Sequence, residues 1–90
     1  MSAVQTERVV VVSKKPIREY LIEIALMFQE GANTLVLKGH GKFISKAVDL
    51  YNAALSKMGE SIELVDISIG SDSMTGRFKP YIAIRIKRKY

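Results

Sequence analysis

Ninety residues and 10.1 kDa hold one compact domain and little more. Hydrophobic residues at 48% and charged residues at 26% are ordinary for a globular chain and exclude disorder. Cysteine is absent, which excludes a disulfide scaffold, a thiolate zinc site and a cysteine nucleophile; a single histidine, His40, leaves little for a metal centre, and neither metal nor cofactor is expected. No apolar run approaches the roughly 20 residues of a membrane span. Glu7 and Arg8 stand where a signal peptide would be apolar, so an intracellular chain without membrane association is expected.

The net charge of +5 is unevenly placed. Before Arg77, eight basic residues meet nine acidic ones; from Arg77 to Tyr90 there are six basic residues and no acid. Such a surplus suits either a polyanion partner or a solubilising tail.

In chain order, residues 1–7 read as a loose arm before a single domain over 8–90. Arg8–Ser13 is short and β-branched, a buried strand. Lys14-Lys15-Pro16 follows, with Pro16 suited to the first turn of a helix. That helix, Pro16–Glu30, carries a core stripe of Ile17, Leu21, Ile24, Ala25 and Phe28, and Gly31 stops it. Ile22 and Leu26 lie off the stripe and form a second apolar strip, either exposed, covered by the N-terminal arm, or in contact with another copy within the dimer or between dimers. Asn33–Lys38 is a second strand. Gly39-His40-Gly41 then leads into a second amphipathic helix, Lys42–Met58, stopped by Gly59, whose apolar face is Phe43, Ile44, Ala47, Val48, Leu50, Tyr51, Ala54, Leu55 and Met58. Ile62–Ser71 and Tyr81–Lys87 alternate as strands. Asp72–Pro80 between them has turn chemistry, so the pair reads as a long hairpin. The predicted fold is α+β: a two-layer βαβαββ arrangement with two helices on one face of a four-stranded mixed sheet.

Three places can carry chemistry. Gly39-His40-Gly41-Lys42 opens a helix, but it lacks the first glycine and the Ser/Thr of a phosphate-binding P-loop and the third glycine of a dinucleotide fingerprint. What it offers is one phosphate site beside Lys42, or simply a turn that needs glycine. Lys14 and Lys15 stand at the other strand-to-helix junction, which the βαβ path brings to the same sheet edge as Lys42, as a binding patch or as solvated lysines. Arg77 and Lys79 with Met74 and Phe78 make a basic finger, or a turn whose Phe78 packs back on the sheet. The acids form no paired catalytic motif, so no enzyme is expected.

The strand ending in Ser13-Lys14-Lys15-Pro16 and the run Lys38-Gly39-His40-Gly41-Lys42-Phe43-Ile44-Ser45-Lys46-Ala47-Val48-Asp49 together resemble the Alba family of archaeal chromatin proteins, over residues 8–88. Ile44–Asp49 is the more specific part of the match. The resemblance implies the βαβαββ fold and a homodimer that binds double-stranded DNA without sequence preference, coats and compacts the chromosome, and also binds RNA. It further implies a cytoplasmic, chromosome-associated location, a paralogue as heterodimer partner, and contacts between dimers on DNA. The family's paired lysines match Lys14 and Lys15. The first is the acetylation site, which makes acetylating and deacetylating enzymes partners. The basic loop residues match His40 and Lys42, where the family often has arginine. The hairpin matches Ser71–Lys79, with Arg77 and Lys79 as its cations. The alternatives are an RNA-binding ribonucleoprotein component and a structural subunit with a solubilising tail.

Overall fold

Four consecutive valines, Val9 to Val12, cannot all face one way in a strand, and their alternation sets the first layer. In the computed structural model, which describes residues 7–90, β1 (Glu7–Val12) buries Val10 and Val12 and exposes Val9 and Val11. The strand starts at Glu7, one residue before the predicted start; the rest of the predicted arm, residues 1–6, lies outside the described residues. The remaining elements are α1 (Ile17–Gln29), β2 (Thr34–His40), a short 3-10 turn (Gly41–Phe43), α2 (Ile44–Met58), β3 (Ile62–Met74) and β4 (Arg77–Arg88). Among the described residues the sheet has four strands in the order β1-β2-β4-β3. β1 runs parallel to β2; β2–β4 and β3–β4 are antiparallel. The predicted mixed βαβαββ fold is the one observed.

Both helices lie on one face. The core joins Val10 and Val12 of β1, Leu35 and Leu37 of β2, and Ile84 and Ile86 of β4 to Tyr20, Ile24 and Phe28 of α1 and Ala47, Leu50 and Ala54 of α2. Leu35 and Ile86 are directly paired, as are Leu37 and Ile84, so β2 and β4 present one apolar floor. The buried stripe of α1 is centred on Tyr20, Ile24 and Phe28, with Ile17, Leu21 and Met27 flanking it. Tyr20 is absent from the stripe expected from the sequence, and its side chain is the largest fully buried one.

Two corrections concern the hairpin. The segment Asp72–Pro80 is not a loop: β3 runs to Met74 and β4 starts at Arg77, leaving a two-residue turn, Thr75–Gly76. In β3, strict alternation is broken by a bulge at Val65 between Leu64, paired with Ile86, and Asp66, paired with Arg85. The extra residue puts Leu64, Ile67 and Ile69 together on the helix side. β3 is an edge strand and α2 packs over β2 and β4, so these three remain exposed, Ile69 by 81%.

β2 ends at His40, paired with Tyr81. Beyond that pair, the backbones of Ser71–Met74 and Arg77–Pro80 pair only with each other and project as an arm. At about 3.4 Å per residue, its four rungs extend about 14 Å past the sheet.

Candidate nucleic-acid interface

Val12 pairs with Gly39, so the chain leaves β1 and β2 at the same end of the sheet, and both junctions open there. Gly39 sits in close approach to α2: a Cβ on it would come within 2.4 Å of the Phe43 carbonyl oxygen and 2.9 Å of the Ala47 Cβ. Gly41 takes a left-handed φ of 55° to begin the 3-10 turn. Both glycines therefore have a geometric reason to be glycine, whatever the turn binds.

Side-chain contacts tie the junctions together. The Tyr20 hydroxyl accepts the Ser13 backbone N–H at 2.7 Å, which fixes the chain as it leaves β1. Lys46, on the first turn of α2, donates to the Ser13 carbonyl at 2.7 Å. The aliphatic part of Lys79 lies against Gly41, so the root of the arm touches the β2–α2 turn. His40 and Asp72 bond at 2.7 Å and join β2 to the arm from the sheet's open face.

Around this rim stand Lys14, Lys15, Lys38, His40, Lys42, Lys46 and Lys79, with Arg77 exposed at the arm's turn. Their charges are not equally available. Lys14 and Lys42 are exposed and make no ion pair among the described residues. Lys15 pairs with Glu23, and this hydrogen bond is the main reason its ammonium is held more firmly protonated than an ordinary lysine. It also lies over the Tyr20 ring, 4.9 Å from the centroid. Phe78 does not pack back on the sheet: it is 79% exposed on the arm. The side chain of Met74 lies outside the described part of the structure.

The basic C-terminal run is neither one patch nor one tail. β4 spreads it along the sheet, with Arg77 and Lys79 on the arm and Lys87, Arg88 and Lys89 at the far end. Two of its members serve the fold. Arg85 bridges Glu7 of β1 and Asp66 of β3 across the open face, at 2.9 and 3.0 Å. Arg88 donates to the Phe28 carbonyl at 3.1 Å.

Of the sequence-derived candidates, the structure brings Lys14, Lys15, His40, Lys42 and Lys79 to one end, and Arg77 out beyond it. Sequence reasoning missed Lys38, Lys46, Asp72 and Tyr20. Lys38 was legible as the residue two before His40 on the same strand, hence on the same face.

The fold and this rim define a class: a small two-layer α+β domain whose free cations gather where β1 and β2 end and along one projecting hairpin. More specifically, the chain belongs to the Alba family, whose model matches residues 8–71. The chain is 37% identical over 82 residues to the DNA/RNA-binding protein Alba 2 of Saccharolobus shibatae, covering 91% of this chain and 92% of that protein. It is 32% identical to the DNA/RNA-binding protein Alba of Nanoarchaeum equitans, covering 87% and 92%. The solved structure of Alba from Thermoplasma volcanium matches with a TM-score of 0.79 at 27% identity, over 89% of this chain and 99% of that one.

Proposed function

We propose that the protein is a homodimeric, sequence-independent binder of duplex nucleic acid that coats and compacts chromosomal DNA and takes RNA as a second ligand. The observation that carries this reading is the gathering of unpaired cations, Lys14 and Lys42, at one end of the sheet beside an arm bearing Arg77 and Lys79. Lysines placed this way meet phosphates and carry no base information. The helices pack on the sheet through their apolar faces, so neither is presented as a base-reading helix. The names of the relatives, which mention both DNA and RNA, support the same reading.

The homodimer rests on the apolar side chains left exposed on α2 and on the edge strand β3 beside it. Val48 and Leu55 of α2 and Leu64, Ile67 and Ile69 of β3 are all exposed. An apolar surface of this kind marks an interface, and a second copy of the same face completes it. Ile22 and Leu26 of α1, 55% and 49% exposed, lie away from these side chains and supply contacts between dimers on a long duplex or within a heterodimer with a paralogue. Lys14, exposed and unpaired, is the accessible amine for acetylation, which would remove one of the free charges. A chromosome-associated location in the cytoplasm follows from this reading.

Gel shifts of matched DNA and RNA duplexes across a salt series test it. Binding independent of sequence and falling steeply with salt is expected. Lys14→Ala with Lys15→Ala should flatten the log–log slope by roughly one to two units per protomer, at about 0.9 per phosphate contact. Lys14→Ala alone should carry the larger share, because Lys15 is already paired with Glu23. Absence of binding at low salt, or an unchanged slope in the double variant, overturns the assignment.

A further inference from the structure

Lys38 and His40 are two residues apart on β2 and face the sheet's open side with Tyr81 of β4 between them and Asp72 of β3. Asp72 reaches across β4 so that one oxygen, Oδ2, lies 3.2 Å from Lys38 Nζ and 2.7 Å from His40 Nε2. Lys79 is its direct partner in the ladder, yet makes no ion pair among the described residues. The donors are held in place from below. Lys38 Nζ stands 4.2 Å from the Tyr81 ring centroid, and the His40 ring lies 5.7 Å from it, tilted by 56°. Tyr81 itself lies tight against Gly70, where a Cβ would come within 2.7 Å of its hydroxyl.

Two N–H donors converging on one anionic oxygen is the geometry that a non-bridging phosphodiester oxygen requires. We infer that Lys38 joins the candidate His40 in one phosphate site, and that in the free protein Asp72 fills it as an internal stand-in for the phosphate. This inference rests on the duplex-binding reading above and adds a competitor to it. Its position fits: the cluster lies at the root of the arm, between the Lys14 and Lys42 rim and the arm cations Arg77 and Lys79. Its layering fits too. The side chain of Asp72 is 36% exposed, against 27% for Lys38 and 14% for His40, so the acid is the outermost member. Rotation of one short side chain uncovers both donors without moving the backbone. The hydrogen bond from His40, then that from Lys38, hold the Asp72 carboxyl below the usual carboxylate range, so it competes as a full anion.

Fluorescence anisotropy with a labelled duplex tests the site through a double-mutant cycle. Asp72→Asn should tighten binding roughly three- to tenfold at 0.1 M salt and steepen the salt slope by about one to two units per protomer. Lys38→Ala alone should change affinity little, because Asp72 already neutralises that charge. In the Asp72→Asn background, Lys38→Ala should abolish the gain. A gain that survives in the double variant reports only the loss of a negative charge and overturns the site, as does no gain at all. Failure of the wild type to bind duplex would instead overturn the parent reading, and this one with it. The wild type gives a second readout that does not depend on the variants folding alike. On duplex addition the Asp72 carboxyl carbon resonance should move toward that of a solvated carboxylate, and an unmoved resonance overturns the exchange.

Discussion

Tyr20 shows how one side chain can fix a functional junction from inside the core. Its ring belongs to the buried stripe of α1, while its hydroxyl accepts the Ser13 N–H immediately before Lys14 and Lys15. A phenylalanine would fill the same space and leave that N–H without its partner. Tyr20→Phe should therefore cost about 1–2 kcal/mol of stability, measured by chemical denaturation at fixed protein concentration, with the denaturant dependence unchanged. The salt slope of binding should stay the same, because no charge is lost. Tyr20 escaped the sequence reading because the stripe was drawn through aliphatic residues and phenylalanine, and a hydroxyl counts against burial until its partner is known.

At the scale of elements, the arm is where local sequence and geometry disagree. Its two-residue turn places Thr75 at φ 46° and Gly76 at φ 77°, the left-handed pair a tight hairpin demands. Glycine accepts this readily, but a β-branched residue does not. Thr75→Asn should relieve roughly 1 kcal/mol of that strain. Amide exchange at Arg77 and Lys79, whose N–H groups bond across the arm in the alternating ladder of a two-residue hairpin, should then slow by about fivefold, since 1.4 kcal/mol is tenfold. Equal exchange rates in the two proteins would mean that the turn carries no such strain.

The arm also marks the boundary of what the sequence made legible. Strands and helices that bury one face show a hydrophobic period, and all of them were placed within a few residues. Among the described residues, Ser71–Met74 and Arg77–Pro80 pack against neither helix and bury no apolar face, so no period betrays them, and Gly76 and Pro80 read as loop. The bulge at Val65 was hidden for another reason: a local insertion leaves the alternation intact on either side of it. The two lysines at the end of β1 and the Gly41 turn were visible as motifs. The Lys38–His40–Asp72 cluster was not, because it joins residues 32 positions apart through a register that only the folded sheet defines.

The whole molecule is a thin two-layer body, 40 × 34 × 20 Å, with one side of its helix layer unfinished. α2 packs over β2 and β4 and leaves the neighbouring edge strand β3 uncovered, so apolar side chains of both elements stay exposed among the described residues. In the proposed homodimer, each aliphatic side chain buried there would contribute roughly 1.5–3 kcal/mol to association. Ile67→Lys with Ile69→Lys should leave the fold intact, since both positions are exposed in the single chain, and should halve the molar mass seen by light scattering. A double variant that keeps the mass of a dimer would place the interface elsewhere.

The arm leaves the sheet at Pro80, which has no N–H to lend to the pairing with β3 or to anything beyond the end of β2. A ribbon tied at its root by the Asp72–His40 bond and projecting about 14 Å behaves as a lever: a bend of about 10° at its root sweeps the tip by roughly 2 Å. Grooves differ by distances of that order, from about 6 Å across in the minor groove of B-form DNA to the wide, shallow minor groove of an A-form RNA helix. A body fitted with one such lever can therefore track helices of different girth without repacking its core, and on the proposed reading the choice between DNA and RNA becomes a matter of how far that lever swings.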